Sequence, residues 1–229
     1  MELSDRMKCY EQVTRIYLPP KTYGILRIDG KNFGKVTQKM DKPFDAGFMS
    51  DMAYTAQYVF ENVDGAMFAF HQSDEISVVF SDLQNNDTEM WFAGNVQKIA
   101  SVVASMATAK FNQLRFKRGN NKLAHFDCRV FSISQRWEAL NYLNYRQRDC
   151  TRNSIQMLAR SLFSHKECMN KNTGELQEMC WQRGQNWNDL ATPKKRGTAI
   201  FKRENGSIMF DLNIPIFSQN WNWFDGKII

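Results

Sequence analysis

Two apolar runs, Ala66–Phe70 and Ile76–Phe80, lie only five residues apart, and the string between them, His71-Gln72-Ser73-Asp74-Glu75, is polar. Runs this short, rich in Phe, Val and Ile and joined by a brief polar link, read as the two strands of a hairpin. The neighbouring segments then limit the fold. Upstream, Tyr23–Gly30 reads as a strand closed by a glycine turn. Its two-residue period sends Leu26 and Ile28 toward a core and puts Arg27 and Asp29 on the opposite face. Next, Met49, Met52, Ala53, Ala56, Phe60 and Val63 recur at helical spacing, and Asn62-Val63-Asp64-Gly65 closes that helix. Downstream, Phe92, Val96, Ile99, Val103 and Met106 mark a helix to about Leu114, and Phe126–Ile133 reads as a fourth strand. Strand, helix, strand, strand, helix, strand is the βαββαβ order of ferredoxin-like domains, an α+β fold that hosts many functions and assigns none.

A long helix is expected from Gln135 to about Phe163. Ser164 to Lys195 then reads as polar and irregular, with Asn172-Thr173-Gly174 and Thr192-Pro193 as breakers. A last hairpin pairs Gly197–Arg203 with Ser207–Leu212 around Glu204-Asn205-Gly206. The expectation is one domain over residues 1–229, with a core at about 21–133 and a helical and C-terminal extension at about 134–229. An apolar share of 43% supports a packed core, and no apolar run approaches the ~20 residues that span a bilayer. The charged N-terminus lacks a secretory signal, so a cytoplasmic protein is expected.

Five cysteines without a CxxC pair read as reduced, mostly buried thiols, and three histidines without HxxxH spacing give transition-metal chemistry little support. The net charge of +6 suits a polyanionic partner, although many unrelated proteins are as basic.

Two short segments carry chemistry. Asp29-Gly30, followed by Lys31-Asn32, offers a carboxylate and approachable backbone groups that could seat magnesium and a triphosphate. Taken alone, the dipeptide reads rather as a turn aspartate capping a loop. In Ser73-Asp74-Glu75, Asp74 enters the third strand where Asp29 leaves the first. In a βαββαβ sheet these strands are antiparallel neighbours, so the two carboxylates converge. Alternation sends Asp74 and Glu75 to opposite faces, so one of them joins Asp29. Two such carboxylates suit Mg²⁺, which completes its shell with phosphates and water.

Six motifs resemble the tRNA(His) guanylyltransferase family. They are Arg27-Ile28-Asp29-Gly30-Lys31-Asn32-Phe33, Lys42-Pro43-Phe44-Asp45, Gln72 to Phe80, Phe126-Asp127-Cys128-Arg129-Val130, Tyr145 to Cys150, and Lys195-Arg196-Gly197-Thr198. They run in order from about residue 5 to residue 203. The resemblance implies a polymerase-like palm that adds nucleotides to an RNA 5′ end in the 3′–5′ direction, with tRNA as partner and ATP and GTP as substrates. It implies that Asp29, the Gly30 carbonyl and Asp74 hold two Mg²⁺ ions, with Asp29 and Asp74 catalytic. Asp29, Gly30, Lys31, Asn32, Phe33, Gly34, Ser73 and Asp74 would contact nucleotide, with Lys42 and Asp45 assisting. Arg27, Arg129, Arg146, Asn153, Lys195 and Arg196 are candidates for phosphate or RNA contact. A homotetramer, a dimer of dimers, is also implied.

Two departures from the eukaryotic pattern stand out, the first removing a potential contact to the nucleotide and the second bearing on substrate choice. Gly34 stands where those enzymes carry His, and Thr151 stands where a His-Ile-Asn-Asn-type string begins. The second change resembles the family's "like" branch, which implies templated repair of truncated tRNA 5′ ends. Addition of the extra 5′ G to tRNA(His) is the alternative, and a palm-type nucleotidyl cyclase or a non-catalytic RNA-binding protein is more distant. Arg146, Asp149, Cys150 and Asn153 share a helix face that holds either RNA, a neighbouring subunit, or only an Arg146–Asp149 pair. Trp181, Trp187, Trp221 and Trp223 read as buried anchors rather than base-stacking platforms, and His71 as a strand residue.

Overall fold

A computed structural model describes residues 1–229 as a mixed assembly of helices around one six-stranded antiparallel sheet. In chain order the elements are α1 (Leu3–Gln12), β1 (Tyr23–Gly30), α2 (Phe33–Val36), α3 (Ala46–Glu61), β2 (Ala66–Gln72) and β3 (Glu75–Ser81). There follow α4 (Val96–Lys117), β4 (Phe126–Ile133), α5 (Arg136–Leu162), α6 (His165–Cys168), α7 (Thr173–Gln182), α8 (Thr192–Arg196), β5 (Thr198–Lys202) and β6 (Ile208–Asp211). The strands lie in the order β4-β1-β3-β2-β5-β6. β1 therefore has β3 as a neighbour, as expected, and β4 on its other side.

β3 is buried at every position because both faces of the sheet are covered. On one face Leu26, Ile28, Ile76, Val78 and Phe80 pack with Met52, Ala56 and Phe60 of α3 and Ile99, Val103 and Phe111 of α4. On the other, Ile25, Phe68, Phe70 and Val79 meet Ala139, Leu140 and Leu143 of α5, together with Phe217, Phe224 and Ile228 near the C-terminus. Each fully buried Phe or Ile here stabilises the fold by about 1.5–3 kcal/mol. The face expected to carry only Arg27 and Asp29 is thus a second core at its Ile25 end. It turns polar only where β1 ends and β3 begins.

Several elements differ from expectation. The β2–β3 hairpin turns on Ser73 and Asp74 alone, with Ser73 left-handed at φ 48°, so His71, Gln72 and Glu75 belong to the strands. α4 starts at Val96 because Phe92 and Ala93 have positive φ and Asn95 caps the helix by accepting from the Lys98 N–H. The segment after Ser164 is largely helical. Asn172, read as part of a breaker, caps α7 in a reciprocal box with Glu175, and Ser164 does the same for α6 with Glu167. Pro193 lies in the first turn of α8, where its missing N–H costs nothing. The last hairpin does not stand apart: β5 pairs with β2 and lengthens the sheet. α1 was not expected, and none of its residues is buried. No helix is long and apolar enough to cross a membrane.

Candidate functional site

Strand register decides which acidic side chains share a face. Asp29 is the direct partner of Glu75 on β3 and of Asp127 on β4, so those three carboxylates point to the side covered by α5. This corrects the alternation argument: the in-register neighbour of Asp29 is Glu75, not Asp74. Asp74 sits in the turn, outside the ladder, where alternation does not apply. It still reaches the same cavity, which Asp29, Ser73, Asp74, Glu75, Asp149 and Asn153 help to line.

Glu75 is nevertheless unavailable to a ligand. Arg146 binds it in a fork, Nε donating to Oε1 at 2.6 Å and Nη2 to Oε2 at 2.7 Å, while Arg27 donates from Nε to Oε2 at 2.9 Å. Arg146 also donates to Asp149 at 2.8 Å, and Arg152 pairs with the same carboxylate. Arg146 is only 1% exposed, which corrects its assignment as an RNA or phosphate contact. Its charge is spent inside the protein, and the intrahelical Arg146–Asp149 reading holds as one limb of a buried network. Arg27 likewise faces Glu75, although its side chain stays partly exposed.

Asp29 and Asp74 take part in no ion pair. Burial, and then the charges of Asp29 and Glu75, push the Asp74 carboxyl up to about 6. Two oxygen-donor side chains that repel each other and lack a cation are a donor set that fits Mg²⁺. No group of three or more His, Cys, Asp or Glu side chains forms a metal cage.

The loop after β1 divides its expected roles. A Cβ on Gly30 would fall 2.3 Å from the Phe33 ring, so only glycine lets that ring close over the strand end. Phe33 is buried against Phe48, Phe111 and Phe126, so its side chain cannot touch a nucleotide. This corrects its side-chain assignment and leaves its backbone. Lys31 and Asn32 are exposed, Asn32 with a left-handed backbone, and Gly34 opens on free space.

A second cavity adjoins the first and shares Gln72, Ser73 and Met157 with it. Lys42, Phe44, Asp45, Ser154 and Lys194 line it. Lys42 donates to the Thr37 carbonyl at 3.0 Å, and Asp45 caps α3 by accepting from the Phe48 N–H at 2.7 Å. Arg129, exposed on β4, is the register partner of Arg27 and shares its face. Lys195 and Arg196 of α8 lie elsewhere, on the other side of α5.

Sequence reasoning passed over Asp127, Gln156 and Arg160. Asp127 needed only the β1–β4 register, which residue spacing does not supply. Gln156 and Arg160 extend Asp149 and Asn153 at i+7 and i+11, a helical signal that was present. The cysteines are less buried than expected: Cys150 and Cys180 are buried, Cys128 and Cys168 partly, and Cys9 exposed. Burial pushes the Cys128 thiol up to about 12. Trp181 and Trp221 are exposed rather than anchoring, whereas Trp223 packs on Phe217 and Phe68. His71 is a buried strand residue without a hydrogen-bond partner, its pKa lowered by burial to about 4.

The family described as tRNAHis guanylyltransferase matches residues 4–134. A bacterial tRNA(His) guanylyltransferase-like protein in complex with ATP is 39% identical, with a TM-score of 0.94 over 99% of both chains. A bacterial protein of the same description in complex with GTP is 36% identical, with a TM-score of 0.85 over 99% of both chains. An uncharacterized protein of Acanthamoeba polyphaga mimivirus is 28% identical over 226 residues, covering 88% of this chain and 77% of its own. The tRNA(His) guanylyltransferase of Schizosaccharomyces pombe is 32% identical over 154 residues, and the chain spans only 56% of its length.

Proposed function

The chain belongs to the tRNAHis guanylyltransferase family, and from that premise we propose that it is a metal-dependent 3′–5′ nucleotidyltransferase that repairs truncated 5′ ends of tRNA. The observation that carries this reading is the pair of carboxylates in no ion pair, Asp29 and Asp74, meeting in one cavity beside a second one lined by Lys42 and Lys194. The ATP and GTP complexes of the similar bacterial proteins support triphosphates as substrates.

In this reading the four strands β4-β1-β3-β2 act as a ferredoxin-like palm. A nucleoside triphosphate activates the RNA 5′ monophosphate with release of pyrophosphate. The 3′ hydroxyl of the incoming nucleotide then attacks the activated end, and the activating nucleoside monophosphate leaves. Asp29 and Asp74, with the Gly30 carbonyl, hold two Mg²⁺ ions. Bound there, the ions lower the pKa of the attacking hydroxyl and neutralise the leaving group. Ser73, between the two cavities, contacts the phosphates, and Lys42 and Lys194 neutralise the triphosphate in the second cavity. The Glu75–Arg146–Arg27 network keeps a third carboxylate from competing for the cations. Thr151 favours end repair over obligate addition of the extra G to tRNA(His). The apolar side chains that α1 exposes, Leu3, Met7 and Tyr10, offer surface that a tetramer would cover.

The test is extension of a labelled tRNA lacking its first 5′ nucleotide, with Mg²⁺, ATP and all four nucleoside triphosphates. Addition of the nucleotide complementary to the 3′ partner, absent in Asp29→Ala and Asp74→Ala, is expected. Extension of no 5′ end overturns the reading, and RNA-independent formation of a cyclic nucleotide replaces it with the cyclase. Extension confined to tRNA(His) selects the guanylyltransferase alternative.

A further inference from the structure

The cavity of Asp29 and Asp74 and the cavity of Lys42 and Lys194 meet at three residues, Gln72, Ser73 and Met157. Gln72 closes β2, and its register partner on β3 is Glu75, so the two side chains share the side of the sheet on which Arg146 of α5 binds Glu75. Phe68 and Phe70 precede Gln72 on that face and belong to the core. A third apolar side chain would continue the row. The chain places an amide there instead, and Gln72 is only 7% exposed.

Glu75, across the ladder, is held by Arg146 and Arg27, whereas the Gln72 side chain forms no hydrogen bond within the chain. A nearly buried amide without a partner costs about 1–3 kcal/mol, which marks a group kept for a ligand rather than for packing. Of the three residues at the junction, Met157 has no donor and Ser73 has one hydroxyl. The Gln72 amide adds two N–H donors and one acceptor without adding charge. A carboxylate in its place would repel phosphate together with Asp74, and an ammonium would pair with Asp74. The neutral amide does neither.

Position at the junction selects the group it touches. In activation, an oxygen of the RNA 5′ monophosphate bonds to the α-phosphorus of the triphosphate, and the bond to pyrophosphate breaks. In addition, the 3′ hydroxyl oxygen of the incoming nucleotide bonds to the RNA 5′ phosphorus, its proton passes to water, and the bond to the nucleoside monophosphate breaks. Both steps spread negative charge over the non-bridging oxygens of the phosphorus under attack. We propose that Gln72 is a catalytic residue whose side-chain amide donates a hydrogen bond to one of those oxygens in both steps. The inference rests on the transferase reading above.

The test replaces the amide by a side chain of similar length and shape, Gln72→Met, in the full-length protein. Two labelled tRNAs lacking the first 5′ nucleotide are extended under single-turnover conditions. One carries a 5′ monophosphate and needs activation, and the other carries a 5′ triphosphate and already has a leaving group. Both rates should fall about a hundredfold with the half-saturating RNA concentration little changed, because a donor that follows developing charge acts on rate rather than on binding. Unchanged rates, a loss confined to RNA affinity, or a loss with only one of the two tRNAs overturns the proposal. A second readout needs no turnover. The Gln72 side-chain amide, identified by NMR as the signal missing from Gln72→Met, should move when ATP and Mg²⁺ are added, and a signal that stays in place also overturns it. The two readings fail separately. If wild type extends tRNA and Gln72→Met does so at the same rate, only the Gln72 assignment falls. If wild type extends no RNA, the transferase reading falls, and the response of the amide to ATP still decides whether Gln72 meets phosphate.

Discussion

Asp74 shows what a single residue gives up to build a site. Its folded pKa of about 6 stands above the ordinary 3.8, so the folded chain binds this proton more tightly than the unfolded chain does. The resulting stability is complete below about pH 4 and is lost as pH rises through 6. At pH 7 without divalent cations the protein therefore carries a destabilising charge. Asp74→Asn cannot ionise and should stabilise the protein in EDTA at pH 7 by on the order of 1 kcal/mol, seen as a higher melting temperature, while abolishing nucleotide transfer. Thermal melts at pH 4 and 7 check this: the gain should vanish at pH 4, and an equal gain at both would mean that charge is not its origin. Asp29 and Asp74 were visible in the sequence because one stands at a strand end before a glycine and the other in a polar link between two apolar strands. The fate of Glu75 was not, since its partner Arg146 is 71 residues away.

At the scale of elements, the loop from β1 into α2 separates two glycines with opposite tolerances. Gly30→Ala puts a methyl group into the Phe33 ring and should cost about 1–3 kcal/mol, because that ring is fixed by three other aromatics. Gly34→Ala meets nothing within 4 Å and should shift stability by less than about 0.5 kcal/mol. Urea denaturation of both variants tests the contrast, and equal losses would contradict the packing described for Phe33. β1, β4 and α5 were legible almost to the residue because periodicity and turn residues agreed there. Asn172 and Pro193 were misread because the same residue types break one helix and start the next. At Asn172 the reciprocal hydrogen bonds of a capping box tell the two apart, and at Pro193 its place in the first turn of α8 does.

Across the whole molecule, the Arg146–Glu75 fork ties α5 to the centre of the sheet beside Asp29 and Asp74. Removing one partner of a buried pair strands the other charge. Arg146→Ala should therefore destabilise the protein by about 3–5 kcal/mol, read as the free energy of unfolding in urea. A loss below about 1 kcal/mol would mean that water or Arg27 alone satisfies Glu75. A surviving Arg146→Ala protein should also bind divalent cations with altered affinity, because the freed carboxylate stands in register with Asp29.

The sequence by itself determined the strands, the two long helices, the order that makes β1 and β3 neighbours, and the identity of Asp29 and Asp74. Those features follow from local periodicity and turn chemistry, which act over a few residues. Tertiary structure alone decided that Glu75 rather than Asp74 lies in register with Asp29. It also decided that Arg146 is spent on Glu75, that Phe33 belongs to the core, and that Arg196 lies across α5 from the cavity of Asp29 and Asp74. Each of those outcomes depends on cross-strand register or on which side of a helix is covered, and residues far apart in the chain settle both.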